Sequence, residues 1–387
     1  MSTGIRASVS ILAIFAAFAL SAAEAGPRAR DLGVPFDGAP GPLNAITDVA
    51  GVAVGHTTLI EDLPNGHKVR TGVTAILPRG KADLATPAFG GWFSLNGNGE
   101  MTGTAWLEEG GILDGPVMIT NTHSVGVVRD ATIAWRIRQG RPDKHGYWWS
   151  LPVVAETWDG HLNDVNGFHV KPAHAEAALD GAAGGPVAEG SVGGGTGMIC
   201  HEFKCGIGTA SRRVAVDGRA LTVGVLVQAN YGLRETLRIA GVPVGQHLTA
   251  DRAYQDQPQE TGSIIIVVAT DAPLLPHQLE RIARRAGMGL ARMGSYAGDG
   301  SGDIFVAFST ANAAALTKGP FTSAEFLENG EMDALFEATV QATEEAIVNA
   351  LVAARDMTGE GGRYAKALPH DALVELLGRY GRGSTPR

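Results

Sequence analysis

Glu260-Thr261-Gly262-Ser263 leads into Ile264-Ile265-Ile266-Val267-Val268-Ala269-Thr270, an unbroken apolar and β-branched run. Such a run reads as a buried strand, and Ser263 stands at its mouth. From Asp251 to Gly262 the chain is polar and aperiodic, which reads as an exposed loop. Gly262 carries no Cβ, so the backbone there tolerates strained angles and Ser263 Oγ can reach the preceding carbonyl. That geometry would permit an N→O acyl shift and hydrolysis, cutting the chain and leaving Ser263 with a free α-amine. A serine hydroxyl is a weak nucleophile without a neighbouring base, and an N-terminal amine can be that base. With a pKa of about 7.7–8.0, an α-amine is substantially neutral near pH 7–8, unlike a lysine. Taken alone, Gly-Ser before a strand also serves as a plain turn.

Three other places carry side chains suited to the same chemistry. A nucleophilic attack on a carbonyl needs donors for the oxygen that turns negative. Asn230, at the end of the apolar run Leu221–Gln228, can be such a donor or simply end the strand. Ser301 and Asp303 precede the apolar run starting at Ile304, and strand alternation puts both on one face. A Gly-Ser-Gly-Asp turn is also a common structural element. Glu156 and Trp158 lie in Ala155-Glu156-Thr157-Trp158-Asp159-Gly160, as a surface carboxylate and a core indole or as parts of a site.

These segments do not stand alone. The Ser263 stretch resembles the processing junction of the β-aminopeptidase and D-esterase/L-aminopeptidase family of N-terminal-nucleophile hydrolases. The resemblance extends to Gly26-Pro27-Arg28-Ala29-Arg30, Asn96-Gly97-Asn98-Gly99-Glu100, the Glu156 segment, Gly195-Thr196-Gly197-Met198 with His201-Glu202-Phe203-Lys204, Gln228-Ala229-Asn230-Tyr231-Gly232 and Gly300-Ser301-Gly302-Asp303. It implies a four-layer α/β/β/α sandwich, one large domain made as a proenzyme and cut between Gly262 and Ser263. The subunits would then be 26–262 and 263–387, assembled as several αβ pairs. By the same resemblance Asn230 is the oxyanion asparagine and Ser301 hydrogen-bonds the nucleophile region. Asp303 takes the place of a carboxylate that orients the Ser263 amine, where the family can carry the longer glutamate. An aminopeptidase needs an anion for the substrate ammonium, and Glu156 is the candidate, with Trp158 as a pocket wall or core residue. The implied reaction is release of N-terminal residues, β-amino acids above all, from small peptides or amides through an acyl-enzyme. The α-specific L-aminopeptidase with D-amino acid esterase and amidase activity is the alternative. An exported binding protein that kept the fold without the chemistry is the reading from a different class.

Several other chemistries are excluded. His201-Glu202-Phe203-Lys204-Cys205 begins like a zinc motif but lacks the second histidine, so no metal is expected. Gly193-Gly194-Gly195-Thr196-Gly197 has the wrong spacing for a dinucleotide fingerprint, and no cofactor is expected. No Gly-x-Ser-x-Gly elbow occurs in a strand-turn-helix context. The net charge of −9 argues against a nucleic-acid partner, which would need a basic face.

The elements that must position these residues fit within 387 residues that are 44% hydrophobic and 18% charged, enough for a sizeable core. Residues 1–25 read as a signal peptide, with Arg6 before the apolar Ile11–Leu20 and Ala23-Glu24-Ala25 as the cleavage rule. Their removal leaves a periplasmic or secreted protein with no membrane contact. Cys200 and Cys205, inside a glycine-rich region, are expected as buried free thiols, since a bridge between them would close a tiny loop. Gly26–Asp48 should wrap over a surface. Ala50–His56 with Thr71–Leu77, and Pro116–Asn121, read as strands, and His123–Gln139 and Lys171–Leu179 as helices. Pro276 suits the first turn of a helix through Leu279, Ile282 and Ala286. Thr322-Ser323-Ala324-Glu325 reads as a capping box opening a helical region, with a long amphipathic helix from Met332 to Leu351.

Overall fold

The structure, a computed structural model, describes residues 26–140, 149–254, 262–317 and 319–383. The expected signal peptide and residues 255–261 of the loop before Ser263 lie outside them. In chain order the elements are β1 (Ala53–Asp62), β2 (Lys68–Leu77), β3 (Ala88–Gly97), α1 (Thr104–Gly110), β4 (Ile112–Leu113), β5 (Val117–Asn121), α2 (Val125–Arg138), β6 (Val153–Thr157) and α3 (Pro172–Asp180). There follow β7 (Ile199–Cys200), β8 (Phe203–Lys204), β9 (Ile207–Val216), β10 (Arg219–Asn230), α4 (Val244–His247), β11 (Ser263–Thr270), α5 (Pro276–Arg292) and β12 (Gly302–Ser309). The chain ends with α6 (Asp333–Val352), β13 (Met357–Thr358), β14 (Tyr364–Ala365) and α7 (His370–Arg379).

Two sheets organise the molecule. One has the order β1-β2-β5-β6, the other β4-β3-β12-β11-β10-β9. Ile76, Ile119, Val153 and Ala155 of the first sheet meet Leu226, Ile265, Val267, Ile304 and Val306 of the second in one buried core. On its outer face the first sheet packs Val73, Ala75 and Val154 against Val128, Trp135, Ala175 and Leu179 of α2 and α3. The second packs Ile264, Ile266, Val268 and Phe305 against Leu279 and Ile282 of α5 and Leu335 and Ile347 of α6. The result is the α/β/β/α sandwich. β11 is apolar from Ile264 to Ala269 because alternate residues enter different cores.

Three expectations give way. Cys200 and Cys205 are joined in a disulfide, their Cα atoms 5.3 Å apart. His201 and Glu202 both take left-handed φ angles (47° and 61°) and fold β7 back onto β8, within the range a bridge needs. Thr322–Glu325 opens no helix: Glu325 donates its N–H to Asn312 Oδ1 and accepts from Asn312 Nδ2, which holds it extended. Helix α6 is buried almost all round from Ala338 to Val352 rather than two-sided, because it lies between the sheet and its neighbouring helices.

The segment 26–48, expected to wrap over a surface, is pinned there by buried anchors. Ala29 and Ile46 are fully buried, and Arg30 and Arg212 both pair with Glu345 at 2.7 Å. Glu345 and Arg212 are themselves buried. Burial alone would raise the Glu345 carboxyl, but the Arg30 hydrogen bond and the two guanidinium charges outweigh it and hold it below its ordinary value. Its contribution is therefore present above the ordinary glutamate range and lost as pH falls through the depressed pKa. Glu345→Ala strands the Arg212 guanidinium in the interior, and denaturant midpoints should register a loss of about 3–5 kcal/mol at neutral pH.

Candidate active site

Ser263 begins β11, between antiparallel β10 and parallel β12, opposite Asn230 on one side and Gly302 on the other. It is 5% exposed. The Gly302 N–H donates to Gly262 O at 3.2 Å, which ties the residue before the serine into the sheet edge. A Cβ on Gly262 would lie 2.3 Å from Tyr231 Cα and 2.4 Å from Asn230 O, so close backbone approach alone requires glycine there.

Alternation orients the two polar side chains. Ser263 shares its face with Ile265 and Val267, and Asn230 with Leu226 and Gln228. Gln228 Nε2 donates across the interface to Thr120 O and Thr157 Oγ1, both at 2.9 Å, so this face looks toward the β5–β6 sheet. Asn230 Oδ1 accepts the Ile199 N–H at 2.9 Å. With its carbonyl end so engaged, the amide keeps its NH2 end for another acceptor.

Glu156 comes near the end of β6, and it is 3% exposed. Its Oε1 accepts the Glu100 N–H at 3.0 Å, and its Oε2 accepts the Thr122 hydroxyl. Burial pushes the carboxyl above its ordinary value, with the Thr122 and Glu100 hydrogen bonds opposing the rise. Gly99 separates this carboxylate from β12, the parallel neighbour of the Ser263 strand. A Cβ there would lie 3.4 Å from Glu156 Oε1 and 3.3 Å from Gly302 Cα. Ser263 and Glu156 are thus brought to one end of the sandwich, with Gly99, just past the end of β3, between Gly302 and the carboxylate.

Ser301 and Asp303 flank Gly302, both fully buried, and Ser301 Oγ donates to Asp303 Oδ1 at 2.8 Å. Asn98 fixes the turn ahead of them, donating its N–H to Ser301 O and its Nδ2 to Gly300 O (3.2 and 2.7 Å). Trp158 is 39% exposed, which excludes the core alternative. Asp159 after it is buried and pushed up to about 6 by burial, against hydrogen bonds that include Asn163 Nδ2 and Asn121 Nδ2.

Thr122, Asn98 and Ile199 join the site only in the folded chain. The Asn-Gly-Asn-Gly repeat was a signal for the first loop, since it pairs amide donors with residues that permit close approach. Nothing local marks Thr122 or the Ile199 N–H, because each matters through a contact made only in the folded chain.

Residues 44–365 match the profile of Peptidase family S58. The chain is 55% identical over 379 residues to the beta-peptidyl aminopeptidase BapA of Sphingosinicella microcystinivorans, covering 94% of each chain. It is 49% identical over 385 residues to the protein of the same name from Sphingosinicella xenopeptidilytica, covering 95% of each. The fold superposes on the L-aminopeptidase D-Ala-esterase/amidase of Ochrobactrum anthropi, described as a variant of the Ntn-hydrolase fold, with a TM-score of 0.87 at 50% identity. That match covers 92% of this chain and 100% of the other. A beta-aminopeptidase from Burkholderia sp. gives 0.84 at 50% identity, over 92% and 99%. With a sandwich of this order and a family profile that spans most of its length, the chain belongs to Peptidase family S58 and is an aminopeptidase, a hydrolase.

Proposed function

We propose that this aminopeptidase is exported, cuts itself between Gly262 and Ser263, and releases N-terminal β-amino acids from small peptides and amides. The observation that carries the reading is Ser263 at the first residue of a central strand, beside Asn230 and Gly302, with Gly99 between Gly302 and the Glu156 carboxylate. Ser263 Oγ attacks the substrate carbonyl, and its own freed α-amine takes and returns the proton. Asn230 Nδ2 donates to the oxyanion, and the Ser301–Asp303 pair orients the amine end. The Glu156 carboxylate anchors the substrate ammonium with Trp158 as a wall, and water then releases the acyl group. The subunits are 26–262 and 263–387, and several αβ pairs assemble. A disulfide in the fold is consistent with an oxidising compartment, periplasmic or extracellular.

The β-selectivity is supported by the high identity to two beta-peptidyl aminopeptidases. A β-amino acid sets its amine one carbon farther from the scissile carbonyl, so the Ser263–Glu156 separation governs the preference. The L-aminopeptidase and D-esterase alternative is favoured by one observation, the superposition on the Ochrobactrum enzyme. N-terminal sequencing of purified protein tests the cut, with Ser263 expected as the second N-terminus. Rates on β-alanyl and L-alanyl anilides test the selectivity, and faster turnover of the L-alanyl compound decides for the alternative.

Glu156→Gln keeps the shape of the anchor and removes its charge. A hydrogen bond to a charged group is worth roughly 1.5–3 kcal/mol, so kcat/KM should fall about 10- to 100-fold, mainly through KM. The free-enzyme profile carries a second sign of the same group. Because the Glu156 pKa is raised, anchoring in the native enzyme weakens as pH drops through a value above the ordinary glutamate range. That acid limb of kcat/KM should be absent from Glu156→Gln.

A further inference from the structure

Lys204 on β8 is fully buried, and among the described residues no carboxylate pairs with it. Burying an amine without a counter-charge is costly, and burial lowers its pKa well below the ordinary lysine value. What it does instead is donate to two carbonyls, Met198 O at 2.8 Å and Cys205 O at 2.6 Å. Both bonds tie the amine to main-chain carbonyls of its own hairpin. Met198 O takes a second donor, the Cys205 N–H at 3.0 Å.

The carbonyl that Lys204 grips belongs to the same planar peptide as the Ile199 N–H. That N–H donates to Asn230 Oδ1. A continuous line of donors and acceptors therefore runs from the Lys204 amine through the Met198–Ile199 peptide to the Asn230 amide. A donor on the carbonyl polarises the peptide and strengthens its N–H as a donor, and the peptide plane fixes the direction in which that N–H points. Lys204 is held in register opposite Ile199 by the β7–β8 pairing, and the Cys200–Cys205 bridge closes the same hairpin. The lysine side chain thus spans a hairpin whose other strand touches the amide facing Ser263.

We propose that Lys204 is a positioning residue for the hydrolytic reaction, orienting the Asn230 amide toward the Ser263 side through the Met198–Ile199 peptide. The inference rests on Asn230 as the oxyanion donor. The test is a double-mutant cycle on processed enzyme, with kcat normalised to the N-terminal Ser263 liberated and measured on a β-alanyl anilide. Lys204→Met should lower kcat about 10- to 30-fold, the loss of one well-placed hydrogen bond, with KM within about twofold. Lys204→Gln, which retains an uncharged donor, should recover part of that loss. In an Asn230→Ala background Lys204→Met should cost nothing further in kcat, because the group it positions is gone. Wild-type kcat in Lys204→Met, or an equal loss in both backgrounds, overturns the proposal. If Asn230→Ala alone keeps full kcat, it is the oxyanion role that has failed, and the positioning role falls with it. Should Lys204→Met fail to fold, the same cycle run with Lys204→Gln decides the matter.

Discussion

Ser263→Ala should migrate as one uncut chain on a denaturing gel and show no turnover above background. Removing the nucleophile of a serine hydrolase costs about 10⁶-fold, and here the loss is compounded. The alanine cannot attack the preceding carbonyl, so the amine that would act as base is never released. The hydroxyl and the base disappear together. Ser263→Cys separates the steps, since a thiol can still carry the acyl shift. It should give partial cleavage, with a kcat that reports how well a thiolate-forming residue replaces the hydroxyl at the end of β11. The structure makes a further distinction possible. Ser263 is 5% exposed and sits in ladder register with both neighbours, so alanine fits without disturbing the sheet. Loss of activity with an unchanged thermal transition therefore reads as lost chemistry. A Ser263→Ala chain that still separates into two pieces at this position would exclude self-cleavage through the serine.

How far the sequence foretold this site depends on whether the signal was local. The β11 strand was legible because a run of β-branched residues buried on both faces has few other homes, and Pro276 marked the start of α5 for an equally local reason. The hairpin that holds Asn230 was not. It turns at His201 and Glu202, two consecutive left-handed residues with no glycine, and no turn propensity announces such a pair. Missing it meant reading Cys200 and Cys205 as free thiols and Lys204 only as part of a failed zinc motif. The capping-box pattern at Thr322 was real as a pattern, but Asn312 captures the Glu325 backbone first. Glu156 was legible as a candidate through its segment. Its burial and its Thr122 and Glu100 donors come from segments distant in sequence, which no window of a few residues contains.

Asn230→Ala should lower kcat about 10²- to 10³-fold while leaving KM nearly unchanged, the cost of losing one donor to a developing oxyanion. The split follows from when the bond matters. The amide meets a weakly charged carbonyl oxygen in the bound substrate and a full negative charge in the tetrahedral state, so its contribution falls almost entirely on the barrier. Alanine also leaves the Ile199 N–H without an acceptor in a buried place, and thermal stability should drop by about 1–3 kcal/mol for that reason alone. Asn230→Asp tells the two consequences apart. An aspartate still accepts from Ile199, so that N–H is not orphaned, but as a carboxylate it presents a lone-pair oxygen where a donor is required. If the amide acts on the oxyanion, Asn230→Asp should be at least as slow as Asn230→Ala although it keeps the Ile199 hydrogen bond. An aspartate variant that recovers activity would mean that Asn230 serves the strand end and the hairpin, and that the oxyanion is held by other donors.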